Sequence, residues 1–178
     1  PHINESEESF TATADGIRFG LLAVKNLGRG VIEKLISERK STGKYTSLYD
    51  FCRRNAGREF NRRALEGLIK SGALDGLADN RRQMLLSSDR VMAAVDEERR
   101  FSGENQLGLF GDDFSGKEPE LEKIDEMPRE KLLAMEKEAT GLYLSGHPLA
   151  AYTGYIKKGG FVPVGKLSQK QYGDGSRV

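Results

Sequence analysis

Hydrophobic and polar positions alternate with two different periods along the first part of the chain. Residues 10–19 alternate weakly around Asp15-Gly16, which predicts a short β-hairpin. After Gly20 the spacing becomes helical: residues 21–25 lead into the glycine turn 26–30, and residues 32–36 place apolar side chains at i, i+3 and i+4. The pattern predicts a helix, a tight glycine turn and a second helix.

The same plan recurs further along the chain. Ser47 and Asp50 have the Ser-x-x-Asp form of a helix N-cap, and Asn61 is placed to cap the next helix, which Gly72 ends. Asn80 is a further capping position and opens a long helix that runs to about residue 100. The sequence therefore predicts a second helix-turn-helix unit after the first.

Regular periodicity stops at about residue 102 and returns only briefly. Residues 102–128 are rich in glycine and acids, which predicts a linker. A helix is expected from Arg129 to about Thr140, between Pro128 and Gly141, and residues 152–178 show no closing pattern. We expect a mainly α fold: a tandem helical-hairpin bundle with a short N-terminal β-hairpin and a C-terminal linker plus helix.

The net charge of +1 hides a strong segregation of charge. Residues 17–90 carry sixteen Lys and Arg against eight Asp and Glu, whereas residues 101–140 carry five bases against eleven acids. A basic region is thus followed by an acidic one. Basic surfaces of this kind are typical of proteins that contact nucleic acid phosphates.

Several functional classes are disfavoured by composition. No apolar run approaches the roughly 20 residues of a membrane helix, and the first residues lack a signal-peptide pattern, so we expect a cytoplasmic protein without membrane contact. The single Cys52, on an apolar helical face, predicts a core residue. His147-Pro148 is more typical of a turn than of a site with a catalytic base. Ser145 lacks a nucleophile-elbow pattern. We expect no catalytic residue, metal site or cofactor.

The glycine turn has two interpretations. Leu27-Gly28-Arg29-Gly30-Val31 opens a helix, where backbone N–H groups and the helix dipole favour an anion and glycine lets a phosphate oxygen approach. With Lys25 and Arg29 beside it, the turn is suited to hold a DNA phosphate without reading sequence. The alternative is a C-cap glycine in an ordinary helical hairpin. The excess of Lys and Arg over residues 17–90 favours the phosphate interpretation.

Three arginine pairs flank the predicted helix ends. They are Arg53-Arg54, Arg62-Arg63 and Arg81-Arg82. For any one pair, a solvated surface with local ion pairs to acids such as Glu59 and Glu66 is nearly as well supported as a ligand contact. Arg62, Arg63, Arg81 and Arg82 lie at helix N-termini, where a cation is disfavoured unless an anion is nearby, and this favours ligand contact for those four.

An apolar island, Gln106-Leu107-Gly108-Leu109-Phe110, interrupts the acidic linker. Extended peptides of this kind dock alternate side chains into pockets of a partner. The other interpretation is that Leu109 and Phe110 pack back onto the protein's own core. The residues alone leave both open.

Taken together, these residues resemble the α subunits of bacterial DNA polymerase III, the C-family replicative polymerases. The resemblance is carried by residues 17–30, Phe51-Cys52, residues 61–73 and residues 141–149, and it covers essentially the whole chain. Asn26 stands where members of that family often carry glycine, which bears on the geometry of the first turn. The family's catalytic palm aspartates, which hold Mg²⁺, and its oligonucleotide-binding barrel are expected outside this chain.

The resemblance implies a domain organisation. Residues 1–20 would end the fingers region, 21–100 would form a tandem helix-hairpin-helix domain on primer–template duplex, 101–128 an acidic linker, and 129–178 a helix and connection toward the barrel. The parent is a DNA-directed DNA polymerase, but this segment should itself be inactive.

The resemblance also implies site residues and partners. The DNA-binding residues would be Lys25, Gly28, Arg29, Gly30, Arg62, Arg63, Gly72, Arg81 and Arg82. The residues that bind the β sliding clamp would be Gln106, Leu107, Leu109 and Phe110. Other holoenzyme subunits are further expected partners. The main rival is a protein-interaction module that contacts replisome subunits and not DNA; a nuclease fragment is disfavoured because no carboxylate or histidine cluster is visible.

Overall fold

The computed structural model describes residues 1–14, 16–57, 59–104, 118–159 and 161, with the backbone alone for 101–104. The chain divides into two compact units, Pro1–Leu144 and Ser145–Val178. The first unit contains strands β1 (Thr11–Thr13) and β2 (Gly16–Arg18) and helices α1 (Arg29–Thr42), α2 (Leu48–Asn55), α3 (Arg62–Lys70), α4 (Arg81–Glu104) and α5 (Arg129–Thr140). The second contains a 3₁₀ turn (Pro148–Tyr152) and α6 (Thr153–Lys158).

The fold is mainly α, as the sequence pattern predicts. The two strands pair in antiparallel fashion with Thr11 opposite Arg18, which confirms the short β-hairpin. Helices α2 and α3 each pack against α4, α1 packs on α2, and α5 packs on α3.

The helix boundaries follow from local capping chemistry. Ser47, Asn61 and Asn80 each accept a hydrogen bond from the backbone N–H three residues on, at 3.1, 3.1 and 2.8 Å. These bonds satisfy N–H groups that a helix start leaves without an intrahelical acceptor. At the other ends, Gly43 and Gly141 have φ of 98° and 85°, a region that glycine enters without steric cost.

The helix predicted after Gly20 is wrong. Residues Leu21–Ala23 form a single 3₁₀ turn. The N–H groups of Leu21 and Leu22 donate to the carbonyls of Glu7 and Glu8 at 3.0 and 3.1 Å, so the start of this segment is fixed by the chain that precedes the β-hairpin. The apolar spacing was compatible with a helix, but these longer-range hydrogen bonds determine the conformation.

The core of the first unit lies between α1, α2, α3 and α4. Three aromatic rings stack edge to face in it, with 4.9 Å between the centroids of Tyr45 and Phe51 and 5.4 Å between those of Phe51 and Phe60. Its fully buried side chains include Ile32, Leu35, Leu48, Phe51, Leu65, Leu68, Ile69, Leu74 and Met84. This core holds the helical hairpins in fixed positions.

Part of the basic surplus is structural. Arg39 is buried and donates to the carbonyls of Ile3 and Ser6 at 2.6 and 3.0 Å, which ties the N-terminal segment to α1. Arg54, whose side chain is 9% exposed, donates to the carbonyl of Gly43 at 2.9 Å and so caps the end of α1. For Arg54, the structure favours the local interpretation over a ligand contact.

The second unit contains a helix that the sequence pattern did not predict. Helix α6 is short, and no side chain of its residues is buried. A six-residue helix offers too few positions for an apolar period to emerge. Among the described helices, none has the length and apolar character needed to cross a bilayer.

Candidate nucleic-acid interface

The first hairpin, in which residues 24–28 join the 3₁₀ turn Leu21–Ala23 to α1, presents an uncapped helix start. Asn26 turns the chain with φ of 63°, Gly28 is the N-cap of α1 in extended conformation, and it supplies no side chain to accept a hydrogen bond. The first turn of α1 contains no acidic residue. Helix geometry leaves the N–H groups of Arg29, Gly30 and Val31 without intrahelical acceptors, at the positive end of the helix dipole.

The surface over this hairpin is open. A Cβ added at Gly28 or at Gly30 would meet no atom within 4 Å, and both residues are exposed. Neither has a positive φ, so the backbone does not require glycine at either position. The free space above them is therefore what the two glycines provide, and it suits the close approach of an anionic oxygen.

Asn26, which stands where the family often carries glycine, does not disturb the geometry of the first turn. Its φ of 63° lies in the left-handed region, where glycine is most easily accommodated and asparagine is tolerated better than most residues. The first turn therefore keeps a geometry that glycine would also give.

Cations surround the first hairpin. Arg29 is 68% exposed and its Nε lies 2.9 Å from Oε1 of Glu8. The ammonium of Lys25 donates to the carbonyl of Glu138 at 2.9 Å. Arg63 is exposed, and its side chain forms no hydrogen bond or ion pair within the described ranges.

Gly67 positions this hairpin, and sequence reasoning missed it. It is a buried glycine in α3, and a Cβ there would lie 3.2 Å from the carbonyl oxygen of Lys25 and 3.6 Å from the side chain of Val24. The first hairpin can therefore pack closely on α3. A glycine in the middle of a predicted amphipathic helix was the available signal.

The second hairpin, residues 72–82, is built differently. Gly72 is buried with φ of 77°, and a Cβ there would collide with the guanidinium of Arg81. Arg81 donates from Nε and Nη2 to the two carboxylate oxygens of Asp75 at 2.8 and 2.7 Å, and from Nη1 to Oε1 of Glu136 at 3.0 Å. Burial acts to lower the pKa of Arg81, but these two carboxylates outweigh it and raise the pKa.

The start of α4 is occupied by an acid of the same chain. The carboxylate of Glu126 accepts from the backbone N–H groups of Arg81 and Arg82 at 2.9 and 3.1 Å. Asn80 accepts from the N–H groups of Gln83 and Met84 through its side chain and its carbonyl. All four N–H groups of this first turn therefore have acceptors within the protein.

Of the four arginines predicted at helix N-termini, Arg62 and Arg81 pair through their side chains with carboxylates of the protein itself. Arg62 pairs with Glu66 and Asp89 at 2.7 and 2.6 Å. Arg81 is paired as described above, and Arg82 donates to the carbonyl of Asp125 at 3.3 Å. Contact of these residues with a ligand stays a prediction. The structure favours it for Arg63 and disfavours it for Arg81, and likewise for Gly72, which is buried against Arg81.

The four predicted clamp-binding residues, Gln106, Leu107, Leu109 and Phe110, lie outside the described residues. The described chain resumes at Glu118, in the first unit. After the gap, Glu122 and Ile124 accept hydrogen bonds through their carbonyls from Gln83 and Asn80 at 2.9 and 2.6 Å. Leu121 packs against the core. Residues 118–127 thus run back along α4 toward its start.

Tyr49 of α2 is hydrogen-bonded to α4. Its hydroxyl donates to Oε2 of Glu98 at 2.8 Å. Burial, then the bond to Glu98 and, more weakly, the charge of Glu118, raise the pKa of Tyr49 to about 12. The charge of Glu118 is therefore near enough to Tyr49 to act on its hydroxyl.

The contacts of Cys52 and His147 support structural roles for both residues. Cys52 is buried, and burial raises the pKa of its thiol to about 12, which disfavours the reactive thiolate. His147 accepts at Nδ1 from the N–H of Leu149 at 3.1 Å and opens a 3₁₀ turn, which confirms the predicted turn. Within the described ranges, no three potential metal-binding side chains cluster.

Two hairpins on one core, the first entered through a 3₁₀ turn, define a helix-hairpin-helix protein. A family model described as helix-hairpin-helix motif matches residues 1–84. This match covers both hairpins and the β-hairpin that precedes them.

More specific similarity extends over most of the chain. It is 41% identical over 162 residues to DNA polymerase III subunit alpha of Xylella fastidiosa, strain Temecula1, an alignment that covers 89% of this chain and 14% of the relative. The corresponding protein of Neisseria meningitidis, serogroup A, is 37% identical over 182 residues, covering 100% and 15%. That of Bacillus subtilis is 34% identical over 165 residues, covering 92% and 14%. The chain belongs to the DNA polymerase III α subunit family and spans 14–15% of the length of these relatives.

Proposed function

We propose that this segment binds duplex DNA through the phosphate backbone, with the first hairpin as its central contact. The observation that carries the proposal is the start of α1, where an uncapped first turn, two open glycines and exposed cations lie together. A backbone phosphate would accept from the N–H groups of Arg29 and Gly30, with Lys25, Arg29 and Arg63 adding charge. Such contacts hold DNA without reading its sequence.

The contrast between the two hairpins supports this assignment. At α4 the equivalent N–H groups already donate to Glu126 and Asn80, whereas at α1 no side chain of the described residues takes that place. We therefore propose that the two hairpins are not equivalent. The first contacts phosphate, and the second holds the acidic segment 118–127 and the long helix in position.

A salt titration of duplex binding tests the proposal. The logarithm of the association constant should fall linearly with the logarithm of salt concentration, by about 0.9 per phosphate contact. Unrelated duplex sequences should bind with similar affinity, and Arg63→Ala should lower both the affinity and the slope. A flat salt response, or strong preference for one sequence, would favour the rival protein-interaction module.

We further propose that Gln106–Phe110 binds the β sliding clamp and thereby tethers the polymerase for processive synthesis. Support comes from the sequence of the motif and from its flanks: the chain leaves α4 at Glu104, and Glu122 and Ile124 are hydrogen-bonded to Gln83 and Asn80 at the start of α4. A peptide whose two ends are fixed to one domain brings the clamp to the DNA site at high effective concentration. Other holoenzyme subunits are further proposed partners.

Clamp binding is tested by changing the motif's apolar pair. Burying Leu and Phe side chains is worth roughly 1.5–3 kcal/mol each, so Leu109→Ala with Phe110→Ala should weaken clamp binding by about two orders of magnitude or more. Phe114→Ala, an aromatic residue of the same segment outside the motif, is the matched control. If the pair instead packs in the protein's own core, the double variant should melt earlier and bind the clamp normally.

A further inference from the structure

A second basic site lies beside the first hairpin. A cavity of about 170 Å³ is bordered by that hairpin, by α3 and by the end of α5. Three cations from two of these elements line it: Lys25 from the hairpin, and Arg63 and Lys70 from α3. Its other charged lining residues are Glu66 and Glu138.

The charges in this cavity do not compensate each other. Glu66 is committed to Arg62 at 2.7 Å, outside the cluster of three cations. The ammonium of Lys70 lies 2.8 Å from Oε1 of Glu138, and Lys25 donates to the carbonyl of the same residue. Arg63 forms no ion pair in the described part of the chain. Positive charge is therefore in excess.

Glu138 is weakly held where it lies. It stands in the last turn of α5, where the negative end of the helix dipole disfavours a carboxylate. Its side chain is 65% exposed, so its pair with Lys70 is worth little and rotation into solvent is easy. Lys70 is 26% exposed and cannot leave the cavity as freely.

We infer that this cavity is a second phosphate site, in which Lys70 and Arg63 bind a DNA phosphodiester next to the one on the first hairpin and the Glu138 carboxylate is the internal anion that it displaces. The inference rests on the proposed function and adds Lys70 as a contact and Glu138 as a competitor. Both glutamate and phosphate offer oxygen acceptors to the same cations, so the exchange leaves no cation without a partner. The cost is only the rotation of an exposed side chain.

Charge-neutral replacement of Glu138 gives the sharpest test, because an exposed residue can change without disturbing the fold. In the full 178-residue chain, Glu138→Gln should raise the affinity for duplex DNA roughly two- to fivefold, the range for one exposed charge pair. Glu130→Gln, at the other end of α5, makes the same change in net charge away from the cavity and should have a smaller effect.

Removing the charge of Lys70 should lower the affinity for duplex DNA. Lys70→Ala should weaken binding to all duplex sequences and reduce the salt slope by about 1, and Lys70→Arg should restore both. Lys44→Ala is the matched control, because it lies beyond the far end of α1 from the hairpin. Melting temperatures of the variants check that each is folded.

The outcomes separate the inference from the function on which it depends. If Glu138→Gln matches Glu130→Gln and Lys70→Ala matches Lys44→Ala, while Gly30→Ala still weakens DNA binding, the second site is refuted and the first hairpin stands. If Gly30→Ala also binds like the unmodified chain, the proposed function itself fails.

Discussion

Replacing Arg81 with alanine should destabilise the fold far more than it alters DNA contact. Arg81 is 11% exposed, and its partner Glu136 is fully buried, with Oε1 on Arg81 at 3.0 Å and Oε2 on the N–H of Leu144 at 2.8 Å. Removing one member of a buried pair costs about 3–5 kcal/mol, because the remaining charge loses a close opposite charge away from water. Asp75 is 47% exposed and adds at most about 1 kcal/mol. We expect a loss of about 3 kcal/mol or more.

The neighbouring arginine gives the matched control. Arg82 is exposed and donates through its side chain to one backbone carbonyl at 3.3 Å, so Arg82→Ala should cost less than about 1 kcal/mol. Urea unfolding followed by circular dichroism measures both. Equal stabilities of the two variants would refute the structural role assigned to Arg81.

A double variant separates charge from packing. Glu136→Gln keeps the shape of the buried side chain but removes its charge. Combined with Arg81→Ala, it should recover part of the lost stability, because the buried negative charge that Arg81 compensated is then removed as well. Additive losses in the two variants would show that the pair is not the source of the effect.

Three smaller predictions follow from particular residues. Gly72→Ala and Gly76→Ala both carry a left-handed backbone cost of about 1–2 kcal/mol, but only the first places a Cβ against Arg81, so urea midpoints should fall further for Gly72→Ala, and equal midpoints would contradict this contact. Cys52, with a pKa of about 12, should react with iodoacetamide at pH 8 only after unfolding, and rapid labelling of the folded protein would contradict its burial. Asn26→Gly should leave thermal stability unchanged or raise it, and a marked fall would contradict the left-handed turn.

The parts of the fold that were predictable depend on neighbours in sequence. Ser47, Asn61 and Asn80 cap their helices because a side-chain oxygen reaches an N–H three residues on, and that requires nothing from the rest of the protein. The segment Leu21–Ala23 was predicted incorrectly because it is held by Glu7 and Glu8, across the β-hairpin.

The same distinction applies to the candidate site. The glycine turn before α1 was recognisable because its geometry is local. The partners of Arg81 were not, since Asp75, Glu126 and Glu136 reach it or its N–H group from three separate segments. A cation at a helix N-terminus requires an anion nearby, but the sequence does not show whether that anion is a carboxylate of the protein or a phosphate of a ligand.

The most direct test of the central claim is the duplex DNA affinity of Gly30→Ala. The new methyl group would lie in open space and should favour the helix by up to about 1 kcal/mol, so the variant should melt no earlier than the unmodified chain. Gly154→Ala, the second residue of α6 and also in open space, is the control. We expect weaker DNA binding and a shallower salt slope for Gly30→Ala alone, because its Cβ lies where the phosphate would approach. Unchanged affinity in a fully folded Gly30→Ala would contradict the first hairpin as the DNA contact.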